Sequence, residues 1–540
     1  MLAVVACSSS SPSPGEPMPA GSDGGGHGGS GGSIDPMAGA GAAGAGTGGT
    51  GGGTGGRPPI GEPMCEDDLT RCGSDCVDTQ IDVAHCGDCD APCATDMECS
   101  MGACRPLCTT RIDCAIGEAC TDGECANPSA GHAFGDDESR DPEYGILPRV
   151  DVSATGHAAV VWESAEYELR VSRYILAEDQ WTAPLPIHEA MAPFPGSPHI
   201  ALDDAGNAIA VWHQGGNDYR DGWANRYDAE LNMWLGPERI EPDGDGFAET
   251  LRVVMDSAGN ATVVWPFFRA DGIGTVRANR YDAASATWTG DIDLSPEPGP
   301  GAGDVTLAAD VHGNVMAAWV QQPAGAEISD AFAARYDVDT GVWSDPIAID
   351  AHDLGHANHP NVTADADGNF FIGWHQSTDT TVQVWVNRYD AATAQWDEAE
   401  QLDTATSSNG AVWAKLGADH HGNCLAIWEQ DAQLMSALYS NGQWTQLGPV
   451  SEDTGVMDPR LAVDRGGNGL ALYRTSAQRL SVSRFDAATR AWSEPEPIDP
   501  VHADRTSDPS LDIDGAGRAM ATWHGTGESG SWEVMTNRFE

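Results

Sequence analysis

The chain has 540 residues, with 82 acidic against 27 basic side chains and a formal net charge of −55 at pH 7. Such a charge repels nucleic acid and anionic membranes, so neither is expected as a partner. It keeps a long exported chain soluble and could collect divalent cations such as calcium; adaptation to high salt is the competing explanation. The basic set is almost entirely arginine, Lys415 being the only lysine.

The chain opens Met1-Leu-Ala-Val-Val-Ala-Cys7, a short apolar run ending in a small residue and a cysteine. This resembles the lipobox of bacterial lipoproteins, with Val4 where leucine is commoner and no basic stretch in front. The resemblance implies lipidation at Cys7, a lipid anchor in the membrane, and an exported protein of the outer membrane or cell surface. Six residues are too few to direct export, so the natural start is expected upstream; the alternative is an accidental cysteine. Residues 1–7 are therefore read as a truncated signal. Residues 8–63 are rich in Gly, Ser and Pro and carry no core-forming pattern, so they read as a disordered tether. No other apolar run is long enough to span a bilayer.

Twelve cysteines follow: Cys65, Cys72, Cys76, Cys86, Cys89, Cys93, Cys99, Cys104, Cys108, Cys114, Cys120 and Cys125. So short a segment cannot bury enough apolar surface alone, and an even count in an exported chain predicts a disulfide framework. The spacing Cys86-x-x-Cys89 leaves zinc as the alternative. The stretch His85-Cys-Gly-Asp-Cys-Asp-Ala-Pro-Cys93 resembles the Cys-rich repeats of secreted proteins in large-genome bacteria and the Stig1-type family of plants. Cys108, Cys114, Cys120 and Cys125, with Asp122-Gly-Glu-Cys125, resemble a second, EGF-sized module. The two modules are placed at 64–105 and 106–127, and the resemblances imply spacers or adhesion units without a defined activity. Cys424 stands apart and is expected to be a buried, inert thiol.

From residue 128 to 540 one pattern returns eight times. Its glycines are Gly156, Gly206, Gly259, Gly313, Gly368, Gly422, Gly467 and Gly517. Six positions later stand Trp162, Trp212, Trp265, Trp319, Trp374, Trp428, Tyr473 and Trp523. Between an apolar run such as His199-Ile-Ala-Leu-Asp203 and another such as Ala208-Ile-Ala-Val-Trp212, the turn Asp-Asp-Ala-Gly-Asn marks a tight β-hairpin. A third segment ends in Arg-aromatic-acid, as at Arg226-Tyr-Asp228, and a Trp seven residues beyond the aromatic opens a fourth. The sixth copy is altered there, with Leu438-Tyr439 and Trp444. Four short strands per unit without helical periodicity predict an all-β fold, an eight-bladed β-propeller, with seven blades as the fallback. The eighth copy shows three strands, and segment 133–147 is expected to supply the fourth through Tyr144-Gly-Ile-Leu147.

Propellers bind ligands around the central channel, at loops that follow the second strand and precede the first. The variable residues there are Glu163, His213, Gln214, His375, Gln376, Glu429, Arg474 and His524, with His199, His352, His356, His359 and His502 before the first strands. These are the candidates for a ligand face; solvated tips of a drifting repeat are the alternative. Asp-x-Asp-Gly-Asn at Asp365–Asn369 is loosely like a calcium loop, but it lacks the later bidentate Glu and coincides with the hairpin, so a turn is expected. The hairpins also resemble the Asp-box of sialidases, at a different spacing, and no sialidase residue set carries over. No catalytic motif stands out and no bound metal is assigned. The expectation is a surface-anchored binding or scaffolding lipoprotein with extracellular polysaccharide or a surface protein as partner. The alternatives are a polysaccharide hydrolase or lyase, with Glu163 and Glu429 as loop carboxylates, and a structural envelope component.

Overall fold

The computed structural model describes residues 70–540, apart from short stretches between 73 and 143 and the segments 189–193, 217–218, 242–245, 296–298, 351–354, 404–409, 500–505 and 527–529. Cys7, Cys65, Cys93 and Cys108, and the tether 8–63, lie outside the described residues; of Cys76, Cys99, Cys104 and Cys120 only the backbone is described.

Among the described residues, eight successive blades of antiparallel strands follow the eight sequence repeats, the second and third joined into one sheet by a parallel pairing of Arg220 with Phe247. Their inner strands are Gly145–Val152, Gly196–Leu202, Arg252–Met255, Gly301–Ala309, Ala357–Ala364, Ala411–Ala418, Met457–Val463 and Thr506–Ile513. Each inner strand touches the next, and Thr506–Ile513 touches Gly145–Val152, so the sheets close into a ring of eight blades. Seven blades are thereby ruled out.

The recurrent Asp explains the hairpin. In the fourth blade Asp310 Oδ1 accepts the N–H groups of His312 and Asn314, both at 2.9 Å, while Oδ2 accepts the Asn314 side-chain amide at 2.7 Å. Asn314 Oδ1 in turn accepts the N–H of Val338, clamping this hairpin to the turn after the third strand. Asp365 does the same with Asp367 and Asn369, so the calcium-like sequence is a blade turn. The glycine is needed twice over. Gly313 has φ +89°, and a Cβ there would lie 3.1 Å from Asp256 of the preceding blade.

The eight anchor aromatics are fully buried, where each indole removes about 150–250 Å² from water. The Arg-aromatic-acid step links neighbouring blades. The guanidinium of Arg173 sits 3.5 Å from the centroid of Tyr227, Arg280 sits 4.6 Å from Tyr336, and Arg538 sits 4.9 Å from Tyr174, which joins the last blade to the first. The outer Trp of each of the first seven blades packs on the same aromatic, as in Tyr227–Trp234 at 5.5 Å. In the altered sixth copy Leu438 is buried with Phe485 instead, an apolar contact replacing the cation.

Closure uses the expected segment but not the expected residues. Glu138–Asp141 is the fourth strand of the last blade, pairing Val534 with Asp141 and Thr536 with Glu138. Gly145–Leu147 instead begins the inner strand of the first blade. The acidic stretch works as a strand because it is the outermost one. Glu138 and Ser139 face solvent, and the one inward carboxylate, Asp141, accepts the Trp162 indole N–H at 3.0 Å.

In the Cys-rich segment, Cys72–Cys89 and Cys114–Cys125 are disulfides, and Cys86 is also disulfide-bonded. That excludes zinc at Cys86-x-x-Cys89. Gly117, Glu118, Asn127 and Ser129 dock on the hairpin end of the sixth, seventh and eighth blades. Gly117 N–H donates to Gly466 O at 2.9 Å, the Asn468 amide donates to Gly117 O at 3.2 Å, and the Ser129 hydroxyl donates to Asp464 at 2.6 Å. His421 Nε2 lies 2.7 Å from Glu118 O. Cys424 is free, buried and held well above the ordinary thiol range by burial, as an inert core residue would be.

The anchor residues set the first measurement. Trp265→Ala is expected to lower the unfolding free energy by about 3–5 kcal/mol in denaturant titration; a loss below about 1 kcal/mol would show that the wedge between blades is not filled by the indole.

Candidate ligand-binding face

Each inner strand opens with the same irregularity. A non-glycine residue at positive φ occupies one position in all eight blades: Leu147, Ser197, Thr250, Asp304, His359, Trp413, Asp458 and Asp508, with φ between 38° and 60°. In seven blades the register slips there, a β-bulge; in the third the strand is interrupted between Gly246–Ala248 and Arg252–Met255. Bulges of this kind re-aim the following side chain. Two residues on, the eight blades carry Arg149, His199, Arg252, Thr306, Asn361, Lys415, Arg460 and Ser510, and all eight line one cavity of about 380 Å³ at this end of the channel.

Four of these eight are permanent or titratable cations, and they include the only lysine of the chain. Among the described residues none of Arg149, Arg252, Lys415 and Arg460 has a carboxylate within 4.0 Å. Most arginines elsewhere in the blades do, such as Arg280 with Asp256 at 2.8 Å and Arg479 with Asp499 at 2.8 Å. The three channel arginines instead fold back alike, each donating to the carbonyl before it: Pro148 at 2.8 Å, Leu251 at 3.3 Å and Pro459 at 2.8 Å. Burial, then repulsion from Arg460 and Arg252, pushes Lys415 down to about 7. Arg252 and Arg460 are each pushed down to about 10 by burial and then by Arg149.

The carboxylates of the mouth are committed to other partners. Asp304 lies 3.0 Å from His359 Nδ1, Asp458 lies 2.7 Å from Arg474 Nη2, and Asp508 lies 3.4 Å from His524 Nδ1. Trp413 is 40% exposed and stacks on His359 at 4.2 Å between centroids. A larger cavity of about 590 Å³ lies at the hairpin end, lined by Asp203, Asp256, Asp310 and Asp514. Those carboxylates already hold the turns, so the smaller cavity carries the uncommitted chemistry.

The residues singled out after the anchor aromatics all come to the same end of the blades, one step farther from the axis. Glu163, His213, His375, Glu429, Arg474 and His524 pair across to the residue that begins each bulge, as in Glu163–Ile146 and His375–Asn358. Gln214 and Gln376 turn inward and accept the indole N–H of Trp212 at 3.1 Å and Trp374 at 3.4 Å. Glu163 accepts the Ser197 N–H at 2.7 Å. Glu429 is raised to about 7 by burial and then by Asp458, and borders a depression with Val412, Ala432, Met457 and Ser476. His199 and His359 reach the channel, while His352 and His502 lie outside the described residues.

The cations were missed, although the sequence carries their signal. The residue just before the channel residue is Pro148, Pro198, Pro360, Pro459 or Pro509 in five blades, among the cations only before Arg149 and Arg460; the proline stands eight before the turn glycine, and the channel residue stands seven before it in every blade.

No protein-family model matches the chain, and no curated protein does. Solved structures with some likeness include polysaccharide lyase Uly1, with 11% identity, 75% of this chain and 99% of that one covered, and a TM-score of 0.43. The intramolecular trans-sialidase from Ruminococcus gnavus has 10% identity, coverage of 65% and 95%, and a TM-score of 0.37. A protein of unknown function from Dyadobacter fermentans DSM 18053 has 12% identity, coverage of 66% and 96%, and a TM-score of 0.37. The eight-bladed architecture rests on the strand pairing and ring closure described above, not on these likenesses.

Burial lowers both His213 and His375 to about 4. A histidine titrating near 6.5 when unfolded and near 4 when folded contributes stability that is fully present above pH 6.5 and lost as pH falls toward 4. The unfolding free energy is therefore expected to fall between pH 6.5 and 4, with a shallower slope in His213→Gln/His375→Gln. An unchanged slope in the double variant would contradict their buried, neutral state.

Proposed function

We propose that this chain is an exported, surface-displayed binding protein that presents the bulge end of its propeller to an extracellular glycan. The observation that carries this reading is the docking of Gly117, Asn127 and Ser129 on the hairpin end, at Gly466, Asn468 and Asp464. The Cys-rich segment contacts the propeller on that side, and the cavity, the buried histidines and the exposed Trp413 lie at the opposite end. In this reading Cys7 is the lipid attachment, 8–63 is the spacer and the Cys-rich modules are the rigid stalk. Trp413 offers an apolar ring face to a pyranose while polar groups around it fix orientation, the usual composition of a small-molecule site.

A polysaccharide hydrolase or lyase is the second reading, favoured by one feature. Glu429, at about 7, is suited to proton transfer near neutral pH. Hydrolysis would need a second carboxyl within about 5–10 Å. Glu163 and Glu429 each make their own contacts, with Ser197 and with Asp458 and Arg474 respectively. Saturable retention of a glycan by the purified chain without release of fragments is the expected result. Fragments that disappear in Glu429→Gln would favour the enzyme.

Display orientation has its own test. A Cβ on Gly466 would lie 2.9 Å from the Gly117 carbonyl group. Gly466→Val is expected to release the Cys114–Cys125 segment, read as faster proteolysis before residue 129 with an unchanged melting temperature of the propeller. Unaltered proteolysis would argue against a docked stalk.

A further inference from the structure

We propose that the channel mouth is an anion site, built by Arg149, Arg252, Lys415 and Arg460, that takes the carboxylate or sulfate group of an acidic sugar. This rests on the reading of the bulge end as the ligand face. Carboxylates outnumber cations 82 to 27 in the chain, and most described arginines outside the channel have one within 4.0 Å, whereas the four cations sharing this cavity have none. Three occupy the same register of three blades and make the same backbone contact, which holds their stems while leaving guanidinium donors uncommitted. Such forks match the geometry of a carboxylate or sulfate.

Holding like charges together in a partly desolvated cavity is unfavourable, as the depression of Lys415 to about 7 and of Arg252 and Arg460 to about 10 shows. An anion among them removes that repulsion. The cavity, about 380 Å³, is at the small end of the range for ligand pockets, and Trp413 on its rim adds a flat apolar surface. A sugar that carries an acid group satisfies both features; an inorganic anion satisfies only the first. The net charge of −55 does not forbid this, because charges beyond about 8 Å are largely screened at physiological salt.

Binding is linked to protons. Lys415 faces Arg460 and Arg252, which lower it, and Asp304 and Glu429, which raise it; Arg149, His199 and His359 share the cavity. An anion raises Lys415, so affinity falls as pH rises through about 7, where the free ammonium loses its proton. Glu429, also near 7, gains its charge over the same interval and acts in the same direction.

The single lysine makes the test direct. In the full chain labelled with ¹³C-lysine, one Cε resonance reports Lys415. It is titrated with oligogalacturonate, a sulfated dextran oligomer, neutral dextran oligomer and inorganic sulfate. The expected result is a saturable shift and a raised Lys415 pKa with one or both acidic oligomers, the responding one naming the acid group, and none with neutral dextran. Affinity should weaken about tenfold or more in Lys415→Gln and in Arg252→Gln/Arg460→Gln. An unmoved resonance with every anion overturns the proposal, whether or not the variants fold. An equal response to inorganic sulfate and to the oligomers overturns the acidic-sugar assignment. Acidic oligomer bound with unchanged affinity by Lys415→Gln overturns the anion site while leaving the glycan-binding reading intact. A Lys415 shift with the acidic oligomers, combined with no retention of any longer glycan, upholds the site and sinks the display reading.

Discussion

The structure depends on closing a ring of eight blades whose inner edges would otherwise expose unpaired backbone groups. Side chains reach across the joints to satisfy them. Asp512 accepts the N–H of Val152 at 2.7 Å, Asp151 accepts that of Leu202 at 2.7 Å, and Asn361 accepts that of Leu416 at 2.8 Å. Farther out, arginines stack on the aromatic of the neighbouring blade, each contact contributing on the order of 0.5–1 kcal/mol where exposed and more where desolvated. The joint between last and first blades receives both devices, Asp512 on Val152 and Arg538 on Tyr174, and in addition the strand Glu138–Asp141. The repeated residues are thus mostly interface residues between blades, which is why they recur and why they say nothing about ligand.

That division of labour determines where function can reside. The Asp and Asn of each turn, the glycine beside the preceding blade's carboxylate, the anchor Trp and the Arg-Tyr step are all occupied by the frame. The position two beyond the bulge is so occupied in only two blades, where Asn361 accepts the N–H of Leu416 and Ser510 that of Val150. It is free to be Arg, His, Thr, Asn, Lys or Ser, and its side chain reaches the one place common to all eight blades. The same reasoning separates neighbours on one strand: His375 stays near the mouth, while Gln376, one residue on, is buried and accepts the anchor indole N–H.

The repeat, the strand count, the hairpins and the buried anchor aromatics were legible because each follows from a local rule: turn residues at fixed offsets and apolar runs between them. Two features were not. The closing strand was sought in the apolar Tyr144-Gly-Ile-Leu147, since Asp136-Asp-Glu-Ser-Arg-Asp141 has poor strand propensity. Propensity lost to position, because an outermost strand needs only one satisfied inward side chain, and Asp141 has Trp162. The channel cations escaped for a different reason. The residues after the anchor aromatics stand out in the sequence because His and Gln recur there, whereas the bulge that turns residues toward the axis is invisible to hydrophobic periodicity. Its trace was the proline eight before each glycine in five copies.

Charge is distributed against the overall balance. A chain with so many carboxylates could neutralise its channel cheaply by placing an Asp beside each cation, as the blades do with Arg280 and Arg479. It does not. The carboxylates nearest the cavity, Asp304, Asp458 and Asp508, are instead turned to His359, Arg474 and His524. Those contacts leave the channel cations without a carboxylate within 4.0 Å, although Asp304, Asp458 and Asp508 still act on them from farther away. An arrangement that forgoes available ion pairs lowers the stability of the free protein, the usual direction of the trade at a preorganised site. Because the four cations are not among the residues that bridge the blades, that cost stays local. The ring is held by contacts in which Arg149, Arg252, Lys415 and Arg460 take no part, so the channel can change its chemistry without reopening a joint between blades.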